Sequence, residues 1–351
     1  MKEINIYLVG TGNIGSTLLA QIERKKEFLQ ESQDKKINVI ALADNEKCYF
    51  SEDGVDLSNW QEKLKSGEAQ DLAKFISDMK NDKKENKVFV DCTSSVAVSW
   101  EYSNILKAGI HVVTPNKKAN TDTYEKFIEL QELAKENQVK FLYETNVGAG
   151  LPIIGAINTL LNGGDKIVKI EAILSGTISF IFNTFVGEKK FSEIIREAKA
   201  SGYTEPDPRD DLNGMDVARK ILILARLVGT KAELSDVEVE SLINKECEEA
   251  ESIDAFLDKL EKQDNDYEAM KEKAQRENKA LRYIATFEAG KLKVSLQMVD
   301  STHPFFNLSG TDNIISIITE AYNETPLIIR GPGAGAEVTA LGVYCDVLGC
   351  G

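Results

Sequence analysis

At 351 residues, with 42% hydrophobic and 28% charged residues, the chain has the composition of a globular protein with room for two cores. Its net charge of −15 argues against a nucleic-acid partner, which needs a basic surface. No apolar run approaches the ~18 residues of a membrane span, and the start Met1-Lys2-Glu3-Ile4 has no signal-peptide architecture, so a cytoplasmic chain with no membrane partner is expected. Five cysteines (48, 92, 247, 345 and 350) form no CxxC pair, and free thiols in a reducing compartment are expected rather than a metal centre.

In chain order, Ile4–Val9 reads as a buried strand, Gly10–Gly15 as a turn and Ser16 to about Gln30 as a helix. Ile37–Ala43 is a second strand, Asp56–Lys87 is polar with helical spacing, and Val88–Val90 is a third strand before a helix near Val96–Ala108. Ile110–Val113 and Val139–Tyr143 add strands around a helix at Tyr124–Glu136. Strands apolar on both faces alternating with helices predict a doubly wound α/β domain with a parallel sheet. After Gly148 the texture changes. Ile167–Leu174, Leu281–Glu288 and Leu292–Val299 read as longer strands, and Glu193–Ser201, Asp216–Leu227 and Glu246–Asn278 as helices, the last a charge-rich, solvated helical face or hairpin. Leu327–Ile329, glycines 331, 333 and 335 and a mildly apolar helix close the chain. The expected division is a dinucleotide-binding domain of residues 1–148 plus 331–351, with an α+β substrate and dimerisation domain of residues 149–330 inserted before the final helix.

Gly10-Thr11-Gly12-Asn13-Ile14-Gly15 has the G-x-G-x-x-G spacing after a strand and before a helix, the setting in which backbone N–H groups take a pyrophosphate. Asp44 closes the second strand, where a carboxylate takes ribose hydroxyls, although a turn role explains it too. This favours NAD; Lys47 nearby leaves NADP open. Thr93 and Ser94, in Asp91-Cys92-Thr93-Ser94-Ser95, fall at the carboxyl edge of the sheet, where they read equally as ligand contacts or helix caps. The only histidines, His111 in a strand and His303 before Pro304, have no catalytic setting, which leaves lysine to meet negative charge on a reacting oxygen. Between Glu205 and Asp216 stand four aspartates and a glutamate, and Asp216 and Lys220 are one helical turn apart. An ordinary ion pair on a capped helix explains this as well as a site for an ammonium-bearing substrate does. The apolar stretch Ile221–Leu227 behind Lys220 would hold it partly desolvated.

The stretch from Ala198 to Lys220 resembles the signature of the homoserine dehydrogenase family at Ala198, Gly202, Tyr203, Thr204, Asp207-Pro208, Asp211-Leu212, Gly214, Asp216 and Lys220. Thr114-Pro115-Asn116-Lys117-Lys118, Glu144 through Pro152, His303-Pro304-Phe305 and Gly331-Pro-Gly333-Ala-Gly335 agree in order, so the resemblance covers nearly the whole chain. It implies NAD(P)H-linked interconversion of L-aspartate 4-semialdehyde and L-homoserine, in threonine and methionine biosynthesis, by a homodimer. Lys220 resembles the proton donor, Lys117 a second active-site lysine beside the cofactor, Glu205 and Asp216 the substrate-binding groups, and Asp211 a support for their loop. Gly202 and Gly335 would approach the cofactor, and Glu144 with the carbonyls of Val147, Ala149 and Leu151 is similar to a monovalent-cation site for an ion such as sodium. A plain interdomain hinge explains the same glycines. The chain resembles the short form of the family, without a regulatory ACT-type domain or a fused aspartate kinase. The competing expectations are a reductase of another amino-acid aldehyde and a non-catalytic NAD(P)-binding redox sensor.

Overall fold

A computed structural model describes all 351 residues, which form two compact units: Met1–Pro152 with Ala334–Gly351, and Ile153–Gly333. In the first unit, β1 (Lys2–Val9), α1 (Asn13–Arg24), α2 (Lys26–Gln33), β2 (Lys35–Ala43) and β3 (Lys47–Phe50) come first. Next are α3 (Trp60–Lys65), β4 (Glu68–Ala69), α4 (Leu72–Asn81), β5 (Lys87–Asp91), α5 (Val96–Trp100) and α6 (Tyr102–Lys107). The half closes with β6 (His111–Val113), α7 (Tyr124–Glu136) and β7 (Phe141–Leu142). These strands make one sheet in the order β4-β3-β2-β1-β5-β6-β7. The five from β2 to β7 in that order are parallel, and β3 and β4 are added antiparallel at the edge. Ile4, Ile6 and Leu8 of β1 and Val88 and Val90 of β5 are fully buried, as a strand covered on both faces requires. This is the expected Rossmann-type sheet.

In the second unit, α8 (Ile153–Asn162), β8 (Ile167–Ile173), α9 (Gly176–Thr184), α10 (Phe191–Ala200), α11 (Arg209–Leu212) and α12 (Met215–Leu227) precede β9 (Val237–Val239). Three more helices follow: α13 (Lys245–Glu248), α14 (Ile253–Leu260) and α15 (Asp264–Arg276). The chain then lays down β10 (Ala280–Glu288), β11 (Lys291–Val299), β12 (Asp312–Thr319) and β13 (Leu327–Pro332). They form a mixed sheet, β13-β12-β8-β10-β11-β9, antiparallel except where β9 joins β11. Ile315 and Ile317, Ala172 and Ile170, and Ala285 and Phe287 align in register as an apolar stripe, while α12 packs on β9, β10 and β11. The last helix, α16 (Ala336–Gly349), returns to the first unit and packs along α1.

Several elements differ from the sequence reading. The helix expected through Gln30 breaks at Lys25, whose φ of −99° and ψ of 4° leave the helical range. Ile22 and Leu29 keep one apolar face across the break, so periodicity could not reveal it. The polar stretch 56–87 splits into α3, the short β4 and α4, and the helix near 96–108 splits at Glu101. The strand expected over Val139–Tyr143 contracts to Phe141–Leu142. The charged segment after Glu246 is several helices with a buried side rather than one solvated helix: Ser252 caps a new helix through the Ala255 N–H, and Phe256, Leu260 and Tyr267 are buried. Tyr267 stacks on Phe191 with ring centroids 3.7 Å apart. Six elements went unread: β3, α8, α9, α11, β9 and β12. β12 carried the signal of a short apolar run, Ile314-Ile315-Ser316-Ile317-Ile318.

Candidate active site

In the first unit the strand order turns at β1 and β5, the place where ligands bind in open parallel sheets. The Gly10 turn leaves β1 there and lies against the chain leaving β5: a Cβ on Gly10 would stand 2.8 Å from the Cys92 carbonyl carbon and the Thr93 Cγ2. A Cβ on Gly15 would stand 1.9 Å from the Gly10 carbonyl oxygen, so strand and helix meet here because neither position carries a side chain. Gly12 begins α1, whose first turn has no acidic residue and no side-chain cap. The Asn13, Ile14 and Gly15 backbones therefore form the opening turn of a helix suited to an anion.

Asp44 follows β2, and its Oδ1 accepts the N–H groups of Glu46 and Lys47, both at 2.7 Å. The turn role is thus present, and it builds the β2–β3 hairpin. Lys47 directs its ammonium to the Gly67 carbonyl at 3.2 Å. The cap of α5 is neither Thr93 nor Ser94 but Ser95, whose Oγ accepts the Val98 N–H. Thr93 Oγ1 in turn accepts the Ser95 N–H at 3.0 Å, and Ser94 is exposed. Lys117 lies just before a 3-10 turn, where its carbonyl accepts the Thr121 N–H and hydroxyl.

Glu144 opens another 3-10 turn, against which α16 packs. Its N–H donates to Asp346 Oδ2 at 3.0 Å, and burial pushes the Asp346 carboxyl up to about 7. Ala149 follows Gly148 with φ of 55° and 75°, folding the Val147–Leu151 backbone tightly. One carboxylate beside such a turn is a hard-oxygen set whose chemistry suits a cation such as sodium.

In the second unit Gly214, with φ of 72°, starts α12 close under the Tyr283 hydroxyl, where a Cβ would come within 2.1 Å. From α12, Lys220 donates to the Leu174 carbonyl at 2.7 Å and pairs with Asp216 Oδ2 at 2.7 Å, with 11% of its side chain exposed. An ammonium has three N–H groups, so two held contacts aim the third. Asp211 Oδ2 accepts the Glu205 N–H at 2.8 Å, tying the acidic loop to the turn before α12. Burial raises the Asp211 carboxyl, opposed by that N–H and by the Thr177 hydroxyl. Asp207 belongs elsewhere, held by Arg209 at 2.6 Å, which keeps its carboxyl low. Gly202 takes φ of 71° after α10, and Gly335 takes φ of 120° before α16.

Both histidines are engaged structurally. His111 Nδ1 accepts the Lys140 N–H at 2.8 Å, and His303 Nδ1 accepts the Phe305 N–H at 3.2 Å while its Nε2 stands 3.7 Å from Glu171. The sequence reading missed Leu174 and Thr177, which frame Lys220 and Asp211. Ser175-Gly176-Thr177 before an apolar run was a readable helix start, and Ser175 does cap α9 through the Ile178 N–H.

Two family models match in tandem: the homoserine dehydrogenase NAD-binding domain over residues 10–144 and homoserine dehydrogenase over residues 152–348. A homoserine dehydrogenase of Schizosaccharomyces pombe is 39% identical over 98% of this chain and 94% of its own. A bifunctional aspartokinase/homoserine dehydrogenase of Zea mays is 45% identical over 98% of this chain, which spans 38% of that relative's length. Among solved structures, a hyperthermophilic archaeal homoserine dehydrogenase in complex with NADPH aligns with a TM-score of 0.76 at 27% identity, covering 99% of this chain and 97% of that one. The chain belongs to the homoserine dehydrogenase family of NAD(P)-dependent oxidoreductases.

Proposed function

We propose that this chain catalyses the reversible NAD(P)H-dependent reduction of L-aspartate 4-semialdehyde to L-homoserine. The observation that carries the reading is Lys220, nearly buried and held at 2.7 Å by both the Leu174 carbonyl and Asp216, on a helix that follows an acidic loop. The bound nicotinamide supplies the hydride. Charge then develops on the carbonyl oxygen, and Lys220 donates the proton that neutralises it. Glu205 and Asp216 take the substrate ammonium, and Asp211 fixes Glu205 through its backbone N–H. Lys117 acts as a second active-site lysine beside the cofactor.

The first unit is the dinucleotide half, with Gly10, Gly12, Asn13, Ile14 and Gly15 on the pyrophosphate, Asp44 on the ribose and Thr93, Ser94 and Gly335 bordering the cofactor; Gly202 belongs to the second unit. The second is the substrate and dimerisation half, and the enzyme acts as a cytoplasmic homodimer. Asp44 sets a preference for NAD, and Glu144 with the Val147, Ala149 and Leu151 carbonyls holds a sodium-like ion. No helix is long and apolar enough to cross a membrane. The test is homoserine-dependent NAD(P) reduction by the purified chain, with other amino alcohols as controls. Turnover of another amino alcohol in preference to homoserine, or no turnover, would reject the reading.

A further inference from the structure

β5 ends on Asp91, which is fully buried. Its Oδ1 accepts the Thr93 N–H at 2.7 Å, and its Oδ2 accepts the Tyr102 hydroxyl at 2.5 Å and the Asn116 amide at 3.0 Å. Its own carbonyl accepts the Thr114 hydroxyl at 2.9 Å. Asn116 is buried too; its amide also donates to the Ser95 carbonyl at 2.9 Å, and its side-chain oxygen accepts the Lys118 N–H at 3.1 Å. One carboxylate therefore joins residues 93–95, after β5, to residues 114–118, after β6, and Lys117 lies between Asn116 and Lys118, whose N–H the Asn116 side chain accepts.

A core that needed only filling would not put a carboxylate here, because a buried carboxyl is costly unless its oxygens are satisfied. Burial raises the Asp91 carboxyl, and the Tyr102, Thr93 and Asn116 donors oppose that shift. Such a network fixes geometry, and the geometry fixed is that of two loops at the carboxyl edge of the sheet.

We propose that Asp91 is a positioning residue for the reduction: through Asn116 it holds Lys117 in place, and through the Thr93 N–H it holds the neighbouring cofactor loop in register with it. This rests on the roles given above to Lys117 and Thr93. An asparagine at this position has one acceptor oxygen, so whichever way it turns its NH2 opposes either the Thr93 N–H or the Asn116 amide.

The experiment measures kcat at saturating cofactor and the unfolding temperature for Asp91→Asn, Asn116→Ala, Lys117→Ala and the double variant Asp91→Asn/Lys117→Ala. Asp91→Asn and Asn116→Ala each lower kcat roughly 10- to 100-fold, the usual loss when a residue that orients a working group is removed. The loss vanishes in the Lys117→Ala background, where the double variant stays within about twofold of Lys117→Ala alone. Losses that multiply in the double variant overturn the proposal. If Asp91→Asn does not fold, Asn116→Ala with and without Lys117→Ala makes the same comparison. A wild-type chain without homoserine-dependent turnover overturns the proposed reaction and this role with it; an active wild type with multiplying losses overturns this role alone.

Discussion

The Gly10–Gly15 turn and the Gly202–Lys220 segment reach function by opposite means. The first presents backbone: a Cβ at Gly15 would overlap the Gly10 carbonyl oxygen, and α1 begins with N–H groups rather than side chains. The second presents side chains, with Lys220 held by Asp216 and the Leu174 carbonyl, and Asp211 holding the Glu205 backbone. A backbone site depends on what is missing from the side chains, and a side-chain site on which groups converge. The two should therefore fail differently when changed.

The largest effect should come from the side-chain region. Lys220→Ala removes the proposed proton donor and should lower kcat roughly 10²- to 10⁴-fold, the usual contribution of a positioned acid. NADH affinity, read by fluorescence titration, should stay near normal. A near-normal kcat would move the proton chemistry to Lys117. In the backbone region, Gly15→Ala forces a methyl group onto the Gly10 carbonyl oxygen. Relieving the overlap should cost about 1–3 kcal/mol in chemical denaturation and loosen the turn proposed to take the cofactor. An unchanged denaturation midpoint together with unchanged NADH affinity would show that the close approach is unimportant.

A smaller effect separates charge from turn geometry at Asp44. Asp44→Asn retains an oxygen for the Glu46 and Lys47 N–H groups but loses the charge that opposes a 2′-phosphate. The ratio of kcat/KM with NADP to that with NAD should rise roughly tenfold, equivalent to about 1.4 kcal/mol. A ratio that does not move would confine Asp44 to the hairpin.

The smallest effect concerns His111, outside both regions. Burial, aided by the Lys140 charge, lowers its imidazole pKa from 6.5, and its Nδ1 must stay unprotonated to accept the Lys140 N–H. The folded state thus binds the proton less readily than the unfolded chain. The resulting stability is present above about 6.5 and is lost as pH falls through the lowered folded value. Thermal unfolding between pH 8 and pH 5 should show a steeper acid loss for the wild type than for His111→Gln, with the same kcat profile in both. A changed kcat profile would return a histidine to the chemistry.

Legibility followed the reach of each interaction. The glycine spacing, the alternation around β1, β2 and β5, and the Asp216–Lys220 step are short-range patterns, and all were readable as written. The break at Lys25 was not, because Ile22 and Leu29 continue the same face through it. The charge-rich segment after Glu246 hid Tyr267, whose stacking partner Phe191 lies far away in the chain. The acidic loop was legible as a cluster, but its division of labour was not: Asp207 serves Arg209, while Asp211 serves Glu205.

By itself, then, the sequence determined the Rossmann-type half, the position of its glycine turn and the family signature around Lys220, because these depend on residue type at close spacing. Tertiary structure alone decided which groups the polar residues meet. Asp91 reaches Asn116 across 25 residues, Lys220 reaches the Leu174 carbonyl across 46, and Glu144 meets Asp346 across 202. Contacts at such separations are set by sheet order and helix packing. A buried carboxylate or lysine takes whichever donor or acceptor that packing brings within about 3 Å, and no local pattern records the choice.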